Sequence, residues 1–301
     1  MGPIKLNLYL LYIKYTFNNE KVNFMKDLKQ EIQVAANLYK SGNFVKCQEI
    51  TNKLIELNPK VVFLYNLLGM ALSAQKKNDE AVAIYNKGIK IDPNYAMIYN
   101  NLGTIYYSKK STGKDLELNL KKAEELYKKA IKLNSKIPEA NSNLGNLYNS
   151  IGKNEESIKY HKLAISADPK YLFSYLNIAN VYVATGDFNK ATKYLNESIK
   201  INSNFTPAHR LLSRITKYTK KTSHLLQLEN LFQKIESNND INKMNIAFAL
   251  GKANEDIGEI NKSFNYYKTA NKINRSTINF SIEDEKKYFN EIKNTYNNNL
   301  F

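Results

Sequence analysis

The strongest constraint on the fold of this chain is an internal repeat with a period of about 34 residues. Five similar segments close with a proline or a serine, at Pro59, Pro93, Ser135, Pro169 and Ser203. The steps between these positions are 34, 42, 34 and 34. Two further columns, made mostly of small residues, follow the same steps: Cys47, Ala81, Ala123, Ser157 and Ala191, then Leu54, Gly88, Ala130, Ala164 and Ser198. Self-similarity at such a period indicates a stack of repeated supersecondary units.

Each repeat has the apolar pattern of two helices. In the segment SIKYHKLAI, the apolar residues Ile158, Leu163 and Ile165 recur at the spacing of one helix face. A glycine or a polar cluster separates two such runs in each copy, as in NSIGKN and VATGDF. Proline closes the second run in several copies, because it cannot continue a helix. The pattern therefore predicts an all-α chain whose unit is helix A, a tight turn and helix B.

A Leu-Gly column lies within helix A, where glycine is unfavourable unless packing requires it. The column contains Leu68-Gly69, Leu102-Gly103, Leu144-Gly145 and Ile178-Ala179. Neighbouring helices approach closely only where side-chain bulk is absent. We therefore expect Gly145 at a close helix contact and Gly152 in the turn between helices A and B. Cys47 belongs to a small-residue column, so we expect it to fill the core.

Together, the closing residues, the two small-residue columns and the Leu-Gly column resemble the tetratricopeptide repeat (TPR) family over residues 28–205. The resemblance implies an α-solenoid, a right-handed superhelix of about seven helix-turn-helix units. It also implies a non-catalytic scaffold for protein–protein interaction, whose concave groove is lined by the A helices and binds an extended peptide or partner segment.

The repeat also predicts the organisation of the whole chain. Residues 1–24 are expected to be a poorly ordered extension or an over-called start before Met25, with a membrane or export role as the alternative. Residues 25–205 form five TPR units, and residues 206–243 form a degenerate helix pair. Residues 244–277 form the last TPR unit, and residues 278–301 form a capping or linker helix.

The single longer step, between Pro93 and Ser135, marks an insertion near residues 109–118. We expect it to lengthen the turn between the helices of the third repeat. Its STGK segment is not a phosphate-binding loop, because Ser108 and Asp115 stand where that motif requires a glycine and a hydroxyl residue.

Asparagine recurs on helix A immediately before the Leu-Gly column, at Asn101, Asn143 and Asn177. Three residues further along the same face are Thr104, Asn146 and Asn180. An asparagine amide offers both donors and an acceptor, so such a ladder could bond successive peptide units of a bound backbone. These six residues are the predicted peptide-binding site. The alternative is that asparagine, abundant in this composition, occupies the positions by chance.

The net charge of +16 comes from 44 basic residues against 28 acidic ones. Only three of the basic residues are arginine, the side chain best suited to forked phosphate contacts, so no specific nucleic-acid partner is predicted. The segment 206–228 is the exception, since it is basic and lacks acidic residues. Its candidate anion or acidic-partner patch contains Arg210, Arg214, Lys217, Lys220 and Lys221. A solvated helix surface is the alternative.

A narrower resemblance is to the TPR region of bacterial TPR-sulfotransferase proteins, carried by PAHRLLSRITKYTKKTSHLLQLENLFQK and the repeat that follows it. It implies an alternative function as the substrate-presenting arm of a sulfotransferase that uses a phosphosulfate (PAPS) donor. The Pro-Arg-Ser-Gly-Thr donor loop of that family is absent from this sequence, so no catalytic residue can be assigned. On this basis the chain is not expected to be an enzyme by itself.

No cofactor or metal site is predicted, because one cysteine and three scattered histidines provide no ligand spacing. The lone cysteine favours a reducing, cytoplasmic location. No apolar run is long enough to span a bilayer. The sequence does not reveal the oligomeric state.

Overall fold

A computed structural model describes residues 19–109, 111–219, 222–236, 241–278 and 281–295. The regular secondary structure of these ranges is entirely helical, as predicted, and belongs to the α-solenoid class. The helices divide between two compact units, which meet between Tyr171 and Leu172 in the sequence.

The first unit contains four helix pairs. Its helices are α1 (Asn19–Lys40), α2 (Phe44–Leu57), α3 (Val62–Ala74), α4 (Asn78–Ile91), α5 (Ala96–Ser108), α6 (Gly113–Leu133), α7 (Pro138–Ser150) and α8 (Asn154–Ala167). Each helix packs against the next one in the sequence. The predicted extension of residues 1–24 overlaps α1 from Asn19 onward, and residues 1–18 lie outside the described residues.

The second unit begins with α9 (Leu172–Ala184) and α10 (Phe188–Ile201). It continues with α11 (Thr206–Ile215), α12 (Ser223–Lys234), α13 (Ile241–Asp256), α14 (Ile260–Thr277) and α15 (Ile282–Thr295). The described side chains of α15 are almost all exposed, including Tyr288 and Phe289. The assignment of residues 278–301 as a capping or linker helix stays a prediction.

Glycine in the left-handed region makes most of the tight turns between helices A and B. Gly152 has a φ of 77°, and its amide donates to the carbonyl of Asn149 at the end of α7. Gly42, Gly186 and Gly258 adopt the same conformation in their own repeats. The prediction that Gly152 lies in a turn is confirmed. In the second repeat Lys76 occupies this place with a φ of 63°.

We expect Lys76→Gly to raise the free energy of unfolding by roughly 0.5–1 kcal/mol. The left-handed conformation costs a residue with a Cβ about 1–2 kcal/mol, and glycine removes this cost. The greater entropy of glycine in the unfolded chain offsets part of the gain. Urea unfolding measures the change. The matched control is Lys77→Gly, because Lys77 has a φ of −85° and should gain nothing. Equal effects of the two variants would contradict the assignment of strain to Lys76.

The inserted residues of the third repeat extend a helix and barely lengthen the turn. Helix α6 has 21 residues, whereas α4, α8 and α10 have 14 each. The turn between α5 and α6 covers residues 109–112, one residue more than the turn 151–153. The turn is longer by one residue, in the expected direction, but most of the insertion lengthens α6 instead. The physical reason is that residues 114–122 are mainly Lys, Leu and Glu, which favour helix.

The Leu-Gly column packs against a ring from helix B of the same repeat. A Cβ on Gly69 would lie 2.6 Å from Cζ of the Tyr85 ring, and a Cβ on Gly145 would lie 2.8 Å from Nε2 of His161. Gly103 faces Tyr127 and Gly251 faces Tyr267 in the same way. The predicted close contact at Gly145 is confirmed. The ring lies a constant number of residues after its glycine, except in the third repeat, where the insertion lengthens the step. Sequence reasoning missed this column of rings.

The degenerate sixth pair packs differently from the other pairs of the second unit. Helix α11 packs mainly against α10 and α13, and α12 packs against α13. Helices α11 and α12 are instead linked by polar side chains. The chain of contacts begins at Ser203, whose carbonyl oxygen lies 2.9 Å from Nε2 of the buried His209.

The hydrogen bonds of this link determine the tautomer of each imidazole. Because a carbonyl only accepts, Nε2 of His209 is a donor, and Nδ1 of neutral His209 accepts from Nε2 of His224 at 3.0 Å. Nδ1 of His224 then accepts the Tyr218 hydroxyl at 2.7 Å. All three groups are satisfied when they are neutral.

Candidate functional site

Four asparagine side chains form a hydrogen-bonded ladder across the A helices α3, α5 and α7 of the first unit. Asn143 Nδ2 donates to Asn100 Oδ1 at 2.9 Å, and Asn100 Nδ2 donates to Asn101 Oδ1 at 3.2 Å. Asn101 Nδ2 donates to Asn66 Oδ1, also at 2.9 Å. We call Asn66, Asn100, Asn101 and Asn143 the asparagine ladder. It connects the A helices of three consecutive repeats.

Burial alternates along the asparagine ladder. Asn66 and Asn100 are buried, whereas Asn101 and Asn143 are half-buried. The buried members therefore hold the partly exposed ones in fixed orientations. An amide whose rotamer is already fixed loses less entropy when it binds a ligand. The ladder thus presents oriented polar groups at a partly exposed surface.

Thr104 belongs to the same network. Its hydroxyl accepts from Asn143 Nδ2 at 3.4 Å and from the Tyr127 hydroxyl at 3.3 Å, and it donates to the carbonyl of Asn100 at 3.1 Å. The Thr104 residue is nevertheless exposed. Asn146 is half-buried, and its backbone carbonyl accepts the Tyr107 hydroxyl at 3.5 Å. The structure therefore brings Asn101, Asn143 and Thr104 together in one network.

The other two predicted peptide-binding residues lie on α9 in the second unit. Asn177 is half-buried and Asn180 is exposed. They occupy the same positions relative to Ile178-Ala179 that Asn143 and Asn146 occupy relative to Leu144-Gly145.

Sequence reasoning missed Asn66 and Asn100, the two buried members of the asparagine ladder. Both lie two residues before the leucine of the Leu-Gly column, at Leu68 and Leu102. Because Asn66 and Asn100 lie one repeat period apart, the period could have identified them as equivalent positions. Their role depends on contacts between residues 35 and 43 positions apart, which periodicity alone does not give.

The predicted basic patch of the second unit separates into different environments. Arg210 is half-buried, and Arg214 lies exposed one turn further along α11. Lys217 Nζ forms an ion pair with Asp256 Oδ1 at 3.0 Å. Lys220 and Lys221 lie outside the described residues.

Asp256 is the acidic centre of this region. It pairs with Lys252 as well as with Lys217, and its Oδ2 accepts the backbone N–H of Tyr218 at 3.0 Å. Burial alone would raise the pKa of its carboxyl, but hydrogen bonds from Lys252, Tyr218 and Lys217 lower that pKa to about 2. Asp256 is therefore ionised at neutral pH and pairs with both lysines.

Metal ligation finds no support in the part of the chain that the structure describes. No group of three or more His, Cys, Asp or Glu side chains there could hold a metal ion. Cys47 is buried among apolar residues, as expected for a core position, and burial raises the pKa of its thiol. None of the described helices is long and apolar enough to cross a membrane.

Stacked pairs of antiparallel helices, repeated at a nearly constant period, define a helical-repeat protein. The sequence profile described as TPR repeat matches residues 69–110. The profile described as tetratricopeptide repeat matches residues 138–171 and 174–205. The chain therefore contains tetratricopeptide repeats, as the columns of small residues predicted.

Solved structures agree with this fold. A thermophilic TPR protein of Thermus thermophilus is 14% identical, with a TM-score of 0.56 over 62% of this chain and 98% of its own. The pilF protein of Pseudomonas aeruginosa is 17% identical, with a TM-score of 0.55 over 70% of this chain and 94% of its own. At these identities the likeness establishes the fold alone. No curated protein sequence shows significant similarity to the chain.

Proposed function

We propose that the chain is a non-catalytic scaffold that binds an extended peptide segment of a partner protein along its A helices. The asparagine ladder is the observation that carries this proposal. Repeat proteins use the extended surface of their stacked units for binding. A row of oriented amides can pair with the N–H and C=O groups of a bound backbone without requiring particular side chains.

The bonding of the ladder fits recognition of a backbone. Asn143 uses its Nδ2 donors toward Asn100 and Thr104, so its Oδ1 is directed away from those two partners. The amide oxygen of the half-buried Asn143 could accept an N–H from an extended chain. The exposed Thr104 hydroxyl lies beside it. Together they would contact neighbouring peptide units. The lone buried cysteine supports a reducing, cytoplasmic setting for such a scaffold.

Peptide binding can be tested with dodecapeptides selected from a random library on the full chain. We expect Asn180→Ala to weaken the selected peptides by about threefold or more, since a typical hydrogen bond contributes about 1 kcal/mol. Because Asn180 is exposed, its variant should keep the wild-type melting temperature. Fluorescence anisotropy gives the affinity and circular dichroism gives the melting curve.

A substitution within the asparagine ladder should lower both the peptide affinity and the melting temperature. Asn143→Ala leaves the buried Asn100 oxygen without its donor, which should cost about 1–3 kcal/mol of stability in addition to affinity. Asn86→Ala, an exposed asparagine on α4, is the matched control and should change neither quantity. The proposal fails if Asn180→Ala and Asn143→Ala both bind like the wild type. In that case the ladder is purely structural.

The alternative function is a substrate-presenting arm for a sulfotransferase. It depends on the resemblance alone, which covers about residues 28–301, and neither the matching family profiles nor the compared structures support it. A downstream coding frame that contains the Pro-Arg-Ser-Gly-Thr donor loop would favour this alternative over a free-standing scaffold.

A further inference from the structure

Arg210 is held in a fixed orientation by two residues of helix α13. Its Nη1 donates to Asn245 Oδ1 at 3.1 Å, and its guanidinium carbon lies 4.3 Å from the centre of the Phe248 ring. Asn245 is buried and donates in turn to the hydroxyl of the buried Thr206 at 3.3 Å. Stacking on the ring and bonding to Asn245 therefore fix the plane of the guanidinium. We call Arg210, Arg214, Asn245 and Phe248 the arginine site.

The charge of the arginine site is uncompensated within the described residues. No carboxylate there lies within ion-pair distance of Arg210 or Arg214. Burial, together with the charge of Arg214 one turn away, lowers the pKa of Arg210. The neighbouring Lys217 and Lys252 differ, since both pair with Asp256. The one local carboxylate thus pairs with the two lysines and with neither arginine.

The donors of Arg210 are also incompletely used. A guanidinium has five N–H donors, and the described contacts occupy one of them with a neutral amide oxygen. Withdrawing such a cation from water is unfavourable unless hydrogen bonds and charge replace the hydration. A planar anion with two oxygens matches the guanidinium fork and supplies both.

Arg210 occupies a position in its repeat that is equivalent to positions in the asparagine ladder. Arg210 lies two residues before Leu212, and Phe248 lies two residues before Leu250. This is the column that holds Asn66 and Asn100 of the asparagine ladder in the first unit. The same helix-A column therefore carries amides in one unit and an arginine stacked on a ring in the other.

We propose that the arginine site binds the carboxylate of a glutamate or aspartate side chain in an extended partner peptide. Arg210 supplies the oriented fork, and Arg214 adds charge from the exposed side. This inference rests on the proposed peptide binding and names the chemistry of the partner. It uses no residue of the asparagine ladder, so the two can fail separately.

The test compares three immobilised decapeptide libraries with acetylated N termini and no acidic residue at their random positions. One has a central Glu-Glu and an amidated C terminus, the second has Gln-Gln and an amidated C terminus, and the third has Gln-Gln and a free C-terminal carboxylate. Retention of the full chain is measured at about 0.15 M ionic strength, where screening limits non-specific attraction.

We expect the Glu-Glu library to retain the wild-type chain about tenfold better than the amidated Gln-Gln library. Arg210→Lys keeps the charge but loses the fork and the stacking, so it should reduce that ratio to about twofold. Lys217→Gln removes the positive charge of a neighbouring lysine that already pairs with Asp256, so the retention ratio of the two libraries should stay nearly unchanged. Arg214→Lys, at an exposed position, provides a second variant if Arg210→Lys does not fold.

Equal retention by the Glu-Glu and the amidated Gln-Gln libraries would overturn the inference while leaving peptide binding intact. Retention by none of the libraries would overturn the proposed function as well. An unchanged ratio in Arg210→Lys together with a reduced ratio in Lys217→Gln would show that general charge is responsible and would contradict the proposal. Preference for the free C-terminal carboxylate, or displacement by inorganic phosphate but not by acetate, would assign the site to a different anion and contradict it as well.

Discussion

Gly69→Ala is expected to destabilise the first unit by about 2–3 kcal/mol, even though alanine favours helix over glycine by about 1 kcal/mol. The added Cβ would lie 2.6 Å from Cζ and 2.7 Å from Cδ1 of Tyr85. The Tyr85 ring is 1% exposed and packs among Val62, Leu72 and Ile98, so it has no free space to move into. Urea unfolding at neutral pH measures the loss.

The chain itself contains a compensated version of this contact. In the fifth repeat Ala179 takes the glycine position and Leu195 takes the ring position, and both are fully buried in one apolar cluster. The double variant Gly69→Ala with Tyr85→Leu should therefore recover stability relative to the sum of the two single variants. A coupling free energy of about 1 kcal/mol or more is expected. Additive effects would show that Gly69 is not required by the Tyr85 ring.

The second large effect is a loss of stability in mild acid. Burial lowers the pKa of His161 from 6.5 to about 4. Burial and then the facing His209 lower the pKa of His224 to about 4 as well. Burial also lowers the pKa of His209, against the opposing effect of its hydrogen bond to Ser203. The chain has only these three histidines. Each of them favours the neutral form in the folded state.

The sign follows from where the protons bind. Above pH 6.5 the histidines are neutral in both the folded and the unfolded state, and they cause no pH dependence. As the pH falls from 6.5 towards 4, the unfolded chain takes up protons that the folded chain excludes, so stability decreases. For His161 alone the full effect is about 3 kcal/mol once the pH is below 4. Asp256, with a pKa of about 2, loses its stabilising charge only below the ordinary aspartate value of 3.8.

The matched variant for the acid effect is His161→Tyr. Tyrosine occupies this column opposite Gly69, Gly103 and Gly251, so it should fit opposite Gly145. Nε2 of His161 has no hydrogen-bond partner among the described residues, and its Nδ1 lies 3.4 Å from the Ser142 hydroxyl. Urea unfolding between pH 7 and 4.5 should show a smaller decrease in stability for the variant. Identical pH profiles would contradict the assignment to His161.

Much of the candidate site could be predicted because periodicity identifies equivalent positions. Asn101, Asn143 and Thr104 were selected by their shared place on helix A, and the structure brings them into one network. The mutual bonding through Asn66 and Asn100 was not predictable. It depends on how closely the A helices of successive repeats approach each other, a distance set by the packing of the helices between them.

The basic patch could likewise be predicted as a group of residues, but the contacts of its members could not. Composition grouped Arg210, Arg214 and Lys217 as similar charges. Asp256, at the end of α13, makes them different by pairing with the lysine, while Phe248 and Asn245 fix the arginine. These partners come from another helix, so neither charge runs nor helical spacing could identify them.

The sequence by itself determined the all-α class and the repeated helix pairs, because small residues, turn glycines and closing prolines act locally or recur at a constant step. Helix propensity also accounts for the extended α6, although the longer step in the third repeat alone suggested a longer turn. Only the tertiary structure decided which polar groups are bonded to one another, which rings rest on the glycines, and which cations are compensated. Those outcomes depend on distances between residues far apart in the chain, which no local pattern specifies.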